Sequence, residues 1–275
     1  MKKKNLSQFK YYASVGGWMM KMNLQGQMEY PSFLVGWILA NAFQYLTGIG
    51  LLKVLTLQFQ SINGWSFEQI VFMYGIGILA HSLAIVLFIQ SWYLEELVIH
   101  GGLDRMLLRP MSVYYQFCIT DMNMIGFTDM IPGAIIFISG CAMVGMHWSV
   151  LNVIYMILTV IGATLIRGAI YTIIGCLSYW VKRSRILIDV SNTMFSQAIM
   201  YPMTIFNRVI QALFTFLFPL GFLAFYPASY FLDKPMGFHI PGPVPLWTLG
   251  IGIVMFLLGR ALFLIGLKRY DSAGN

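Results

Sequence analysis

Long stretches without a charged residue are the feature of this sequence that most limits its fold. Residues 30–52, 69–94, 130–166 and 235–259 contain 23, 26, 37 and 25 residues without Asp, Glu, Lys or Arg. Each stretch is longer than the ~20 apolar residues that span the hydrocarbon core of a bilayer. Charged residues make up 10% of the chain, against about a quarter in soluble domains. The sequence therefore predicts an all-α polytopic membrane protein.

Turns and polar residues divide this single transmembrane domain, residues 1–275, into six predicted spans. The spans are 32–57, 67–92, 113–144, 150–181, 186–203 and 245–267. Before them, residues 5–30 place basic and apolar side chains on opposite sides of a helix, which favours a helix lying in the membrane interface. An N-terminal helix that simply packs on the protein is the alternative.

The basic residues indicate the orientation of these spans. If the N-terminus is cytoplasmic, the cytoplasmic side holds Lys2, Lys3, Lys4, Lys10, Lys21, Arg105, Arg109, Lys182, Arg183, Arg185, Lys268 and Arg269. These are 12 of the 17 basic residues, and such a bias is typical of cytoplasmic loops. We therefore expect both termini to be cytoplasmic. The topology then accounts for the excess of basic residues, and no nucleic-acid partner is needed to explain it.

Residues 209–232 do not fit a simple count of spans. They contain no charge, but Pro219 and Pro227 divide them into pieces of about 10 residues, each ~15 Å long and too short for a ~30 Å core. A crossing would also place Lys268 and Arg269 outside. The pattern predicts a re-entrant helical hairpin. Its marker residues are Tyr201, Pro202, Pro219, Tyr226 and Pro227.

Four charged residues lie within the predicted spans: Asp121, Asp129, Arg167 and Arg260. Asp129 and Arg167 are at similar depth on consecutive antiparallel spans, which predicts an ion pair between them. Asp121 and Arg260 form a second, weaker candidate pair by the same argument. A proton relay or a site for a charged substrate is the alternative use of these charges.

Motifs for catalysis and for metal binding are absent from the sequence. Cys118, Cys141 and Cys176 all lie in apolar stretches without a Cys or His partner at metal-binding spacing. A phosphate-binding loop, GxxxxGK[ST], is also missing. We therefore assign no catalytic residue, metal site or cofactor to this chain, and no residue to a substrate site.

Three segments together resemble the permease subunit of bacterial ABC-2 type ABC transporters, in the six-span branch with a separate ATPase subunit. They are Gly102-Leu-Asp-Arg-Met-Leu-Leu-Arg-Pro-Met-Ser112, Ser66-Phe-Glu-Gln-Ile70, and Tyr201-Pro-Met-Thr-Ile-Phe206 followed by Phe218-Pro219 and Phe225-Tyr-Pro-Ala228. The resemblance implies that the polar segment 95–112 is a coupling helix on a cytoplasmic ATPase. An ordinary solvated loop is the alternative.

The resemblance also implies roles and partners. The coupling residues would be Glu95, Glu96, Leu103, Asp104, Arg105, Met106, Leu107 and Arg109. Leu103, Met106 and Leu107 have helical spacing, and we expect Leu103 and Leu107 to face the ATPase. Two permeases, a paralogous heterodimer in preference to a homodimer, would assemble with two ATPase subunits that hold ATP and Mg²⁺ in the bacterial cytoplasmic membrane. The cargo would be a hydrophobic or amphipathic peptide, lipid-linked compound or drug that is exported.

Two other classes of protein are alternatives. An ion-coupled secondary transporter could use Asp121, Asp129 and Arg167 as its relay, although six unrepeated spans differ from the usual inverted-repeat design. A membrane-embedded enzyme would need a nucleophile or metal cluster near the membrane, and the sequence contains no such motif.

Overall fold

The computed structural model of this protein describes residues 2–29, 31–120, 123, 125–181 and 183–271. The protein is 81% helical, and the described residues contain no β-strand, which confirms the prediction of an all-α polytopic protein. The α-helices are α1 Lys2–Met28, α2 Pro31–Phe59, α3 Phe67–Phe88, α4 Leu94–Ile99, α5 Gly102–Leu107, α6 Val113–Thr120, α7 Ile125–Met143, α8 Val150–Cys176, α9 Arg185–Met200, α10 Arg208–Ala212, α11 Phe225–Phe231 and α12 Val244–Leu267.

Within these ranges, five helical stretches are long and apolar enough to cross a membrane: Pro31–Phe59, Phe67–Ile99, Gly126–Met143, Val150–Tyr179 and Val244–Leu267. The predicted span 186–203 corresponds to α9, whose 16 residues extend only ~24 Å and fall short of a ~30 Å core. Its crossing of the membrane stays a prediction. The predicted span 113–144 corresponds to α6 and α7, and Asn123, the described residue between them, is not helical.

Glycines allow α3 and α7 to pack closely as antiparallel neighbours. A Cβ atom on Gly75 would lie 2.5 Å from the Cα atom of Phe137, and one on Gly140 would lie 2.6 Å from the Cα atom of Phe72. The first half of α3 thus contacts the second half of α7, as expected for helices that run in opposite directions. Small residues at such contacts let two helix backbones approach in a lipid environment, where packing drives helix association.

A second small-residue contact joins α8 and α12, which run in the same direction. A Cβ atom on Gly162 would lie 2.6 Å from the backbone of Thr248, and Gly259 faces Ala169 further along both helices. Two parallel neighbouring helices require an odd number of crossings in the chain that connects them. A single crossing by α9 meets this requirement if the segment 209–232 does not cross.

Both ends of the segment 209–232 are held at the turn between α2 and α3. The Nδ2 atom of Asn63 donates to the carbonyl oxygen of Thr204 at 2.6 Å, and the Nζ atom of Lys234 donates to the carbonyl oxygen of Gly64 at 3.0 Å. The chain between Thr204 and Lys234 therefore leaves this turn and returns to it. This is the arrangement expected of a re-entrant hairpin, which stays a prediction.

Cysteine labelling tests the hairpin directly. In a background with Cys118, Cys141 and Cys176 replaced by Ser, we expect Arg208→Cys and Lys234→Cys to react with an impermeant maleimide from outside intact cells. Both positions flank a segment that begins and ends at one turn. As a control, Lys268→Cys should react only after the cells are permeabilised. Labelling of positions 208 and 234 from opposite sides would show that the segment crosses.

Helix α1 contacts the protein along one face. The hydroxyl of Tyr115 donates to the carbonyl oxygen of Tyr12 at 2.6 Å, and the Nδ2 atom of Asn23 donates to the carbonyl oxygen of Thr120 at 3.0 Å. The indole of Trp18, on another face, is 63% exposed. One face of α1 thus packs on α6, while its location in the membrane interface stays a prediction.

Candidate functional site

A polar cavity of about 330 Å³ lies among helices α2, α3, α7, α8 and α9. Its walls also contain Trp37, Trp92 and Tyr93, so polar and aromatic side chains share the same space. Polar groups inside a membrane domain are costly unless they have partners or a function. The polar residues at the cavity include Asn41, Gln44, His81, Asp129, Arg167 and Asn192.

Asp129 is held at this cavity by residues of α2 and α3. The Nδ2 atom of Asn41 donates a hydrogen bond to Oδ1 of Asp129. The Nε2 atom of His81 lies 3.6 Å from Oδ2 of the same carboxylate. Asp129 itself is buried. Oδ1 therefore has a hydrogen-bond partner, and the imidazole of His81 lies close to Oδ2.

Arg167 is held at the same cavity by neutral groups. Its Nε atom donates to the hydroxyl of Tyr171, and its Nη2 atom donates to Oδ1 of Asn192, each at 2.9 Å. The guanidinium also lies 4.8 Å from the ring centroid of Phe195. Although Arg167 is only 1% exposed, its Nη1 atom has no hydrogen-bond partner in the described part of the chain.

Asp129 and Arg167 thus line one cavity but do not form the predicted direct pair. The prediction assumed that α7 and α8, which follow each other in the chain, are also neighbours in the fold. In the structure α3 lies between them: its Gly75 meets Phe137 of α7, while its Phe88 meets Gly168 of α8. The second candidate pair receives no support, because Asp121 lies outside the described residues and Arg260 is exposed on α12.

Exchanging the two charges should not restore stability. We expect Asp129→Ala and Arg167→Ala each to lower the melting temperature in detergent, because each change leaves buried polar partners without a hydrogen bond, which costs about 1–3 kcal/mol. The double change Asp129→Arg with Arg167→Asp should be no more stable than either single change, since Asn41 and His81 would then face a cation. Recovery in the exchanged variant would show that a direct pair exists.

The predicted coupling segment folds as α4 and α5, joined by a tight turn. Gly101 has a φ of 69° in the turn, a conformation that glycine adopts without steric cost. Leu103 and Met106 are buried against Tyr114 and Phe117 of α6 and other apolar residues at the ends of α8 and α12. The segment is therefore packed on three longer helices.

Burial corrects the expected orientation of Leu103. Leu103 is 0% exposed, whereas Leu107 is 49% and Leu108 is 86% exposed. Leu103 therefore cannot face a partner together with Leu107, because its side chain belongs to the core of this chain. The surface side of the segment holds Glu96, Arg105, Leu107, Leu108 and Arg109, and Asp104 is half-buried.

Glu95 joins the coupling segment to the start of α9. Its Oε2 atom accepts hydrogen bonds from the backbone N–H groups of Ser184 at 2.5 Å and Arg185 at 2.7 Å. A carboxylate at the first turn of a helix satisfies free N–H groups and interacts favourably with the helix dipole. The guanidinium of Arg185 in turn donates to the carbonyl oxygen of Trp92 at 3.1 Å. This contact was not predicted, since the sequence does not show which helix end Glu95 approaches.

The marker residues of the hairpin do not line the polar cavity. Pro202, Pro219, Tyr226 and Pro227 are buried, and Tyr201 is half-buried at the end of α9. The hydroxyl groups of Tyr226 and Thr215 are hydrogen-bonded, which joins the two arms of the segment. Tyr226 therefore contributes to the internal packing of the segment 209–232.

The helices and the cavity define an all-α integral membrane protein with a polar site inside its bundle. A family model described as ABC-2 family transporter protein matches residues 42–274, so the chain belongs to the ABC-2 family of transporters. This finding confirms the resemblance seen in the sequence. A comparison with curated proteins found no match. As a member of this family, the chain is a permease subunit of an ABC transporter, and the family implies a separate ATPase partner.

Proposed function

We propose that this permease forms half of the translocation path of an ATP-driven exporter, and that its α4–α5 segment transmits movement of the ATPase to the polar cavity through Glu95 and α9. The observation that carries this proposal is the pair of hydrogen bonds from the start of α9 to the Glu95 carboxylate. The bonds join the segment that the family resemblance assigns to the ATPase with a helix that lines the cavity.

Helix α5 has the two faces that such a role requires. Leu103 and Met106 are buried against α6, α8 and α12, so a displacement of α5 acts on the ends of these helices. Leu107 and Leu108 are exposed on the other side. Exposed leucines among charged residues suit a docking surface, because apolar anchors with a polar rim are typical of protein interfaces.

Helix α9 continues the path from Glu95 to the cavity. Asn192 lies on α9, about two turns after Arg185, and its side chain accepts the hydrogen bond from Arg167. A shift of α9 along its axis would therefore alter the contacts of Arg167. The first two turns of this helix would thus connect a cytoplasmic contact with a buried charge.

The complete transporter would contain a second permease, in a paralogous heterodimer, and two ATPase subunits with ATP and Mg²⁺. The exposed apolar side chains of α2 and α12, such as Phe43 and Val254, supply the surfaces for lipid and for the second permease. The chain would lie in the bacterial cytoplasmic membrane with both termini in the cytoplasm. Its cargo would be a hydrophobic or amphipathic molecule. Membership in an ATP-driven family disfavours the ion-coupled alternative.

Copurification with the ATPase tests the docking surface. We expect Leu107→Glu with Leu108→Glu to leave the permease inserted in the membrane but to reduce copurified ATPase about tenfold. The change places two charges on an apolar contact and leaves the buried Leu103 intact.

A matched control is Val181→Glu, at a residue that is 62% exposed after α8 and on the same predicted side of the membrane. This variant should retain the ATPase. Wild-type amounts of ATPase in the Leu107, Leu108 variant would overturn the assignment of this surface.

A further inference from the structure

In the described part of the chain, the lining of the polar cavity holds more basic than acidic residues. It includes Arg167 and Arg185 but one acidic residue, Asp129, and His81 is counted as neutral. Arg185 also lies near Asp189, with 3.7 Å between Nε and Oδ1, but both side chains are more than a third exposed. Solvent weakens such a pair. Arg167 is fully buried and needs more compensation.

At the cavity, a hydrogen-bond donor of Arg167 is also left without an acceptor among the described residues. Oδ1 of Asp129 accepts a hydrogen bond from Asn41, and Oδ2 lies 3.6 Å from Nε2 of His81. In the described part of the chain, the Nη1 atom of Arg167 has no hydrogen-bond partner. A buried donor without an acceptor is unfavourable, more so when it is charged. The described lining therefore lacks an acceptor for Nη1, and that acceptor is best supplied by an anion.

The remaining donors of Arg167 have the geometry to hold two oxygen atoms. Tyr171 and Asn192 fix the guanidinium by using Nε and one hydrogen of Nη2. In the described part of the chain Nη1 is left without an acceptor, while Nη2 makes one hydrogen bond, to Asn192. This donor pattern matches the paired oxygens of a carboxylate or a phosphate, which arginine binds in bidentate fashion.

We infer that this cavity binds the carboxylate or phosphate group of a small molecule, with Arg167 as the principal contact. The volume of about 330 Å³ falls within the ~300–1,000 Å³ that is typical of small-molecule sites. Trp92 and Tyr93 offer apolar surface for the rest of the molecule. The inference concerns binding, and it rests on the proposed function only where the bound molecule is taken to be exported cargo.

Binding to the intact complex, purified in detergent without ATP, tests the site. The probes are octanoate, octyl phosphate and inorganic phosphate, with octanamide as the uncharged match of octanoate. Equilibrium dialysis gives the affinity, and the melting temperature reports stabilisation. We expect octanoate or octyl phosphate to bind at least about tenfold more tightly than octanamide. Binding by inorganic phosphate with equal affinity would identify a free anion as the source, and a requirement for the octyl chain would identify an amphipathic ligand.

Two variants and one control locate the binding to this cavity. Arg167→Gln should reduce the affinity for the charged probes at least about tenfold. Ser196→Phe should also reduce this affinity, because the larger side chain fills the cavity. If Arg167→Gln fails to fold, the Ser196→Phe variant tests the site in its place. Arg260→Gln, on an exposed membrane-helix arginine outside the cavity, should bind as wild type does.

Equal affinity for octanamide and octanoate would overturn the inference, as would unchanged binding in a folded Arg167→Gln or Ser196→Phe variant. Copurified ATPase measured in the same samples keeps this test separate from the proposed function. Loss of probe binding with normal ATPase association is a failure of the site alone.

Discussion

A complex that carries Glu95→Ala is expected to retain its ATPase subunits but to lose the movement of α9 on nucleotide binding. The change removes two hydrogen bonds to the backbone of Ser184 and Arg185. Hydrogen bonds to a charged group contribute about 1.5–3 kcal/mol each, and the N–H groups left behind lose their partner. An effect of this size is large enough to separate α9 from the coupling segment. Spin labels at Thr193→Cys on α9 and Val254→Cys on α12 measure the distance with and without ATP and vanadate.

The neighbouring carboxylate supplies the control for this experiment. Glu96 has the same side chain and is exposed on the same short helix. Glu96→Ala should therefore show the wild-type change in distance. If Glu95→Ala also shows the full change, Glu95 does not transmit the movement. If wild type shows none, α9 is not part of the conformational change, and the proposed path fails.

Gly162→Ala should be among the most destabilising single methyl additions in this protein. The new Cβ atom would lie 2.6 Å from the carbonyl carbon and oxygen of Thr248 and from the nitrogen of Leu249. These are backbone atoms of α12 and cannot rotate away, so the two helices must separate. Overpacking of this kind costs about 1–3 kcal/mol or more. The melting temperature of the complex in detergent measures the loss.

Gly250→Ala is the matched control for the helix contact. A Cβ atom at Gly250 would meet nothing within 4 Å, and alanine favours a helix over glycine by about 1 kcal/mol. We therefore expect this variant to be as stable as wild type or slightly more stable. Equal stability of Gly162→Ala would mean that α8 and α12 are further apart than the structure places them.

The helical segments could largely be predicted because long uncharged stretches have few alternatives in a membrane protein. The boundaries of 32–57 and 245–267 differ from α2 and α12 by one or two residues. The division of 113–144 was missed, because a break in a helix depends on local contacts that hydropathy does not record. The predicted span 186–203 differs from α9 by one residue at its start and three at its end.

The candidate site could be predicted only in part. The sequence places Asp129 and Arg167 at a similar depth in the membrane, and in the structure both line one cavity. Their partners could not be inferred, since the position of α3 between α7 and α8 depends on packing. Leu103 and Leu107 are spaced by four residues, which predicts a shared face, but α5 has only six residues. So short a helix has too few positions for periodicity to distinguish its buried side from its surface.

The parallel contact between α8 and α12 has a consequence for biosynthesis. Residues 177–243 separate these two helices in the chain, so α8 leaves the ribosome well before the helix that covers its Gly162 face. A nascent chain that has inserted everything up to α11 still presents this small-residue groove to lipid or to another protein. Completion of the bundle must therefore follow the release of α12 into the bilayer. Until then, we expect the membrane insertion machinery or a neighbouring subunit to cover the open groove.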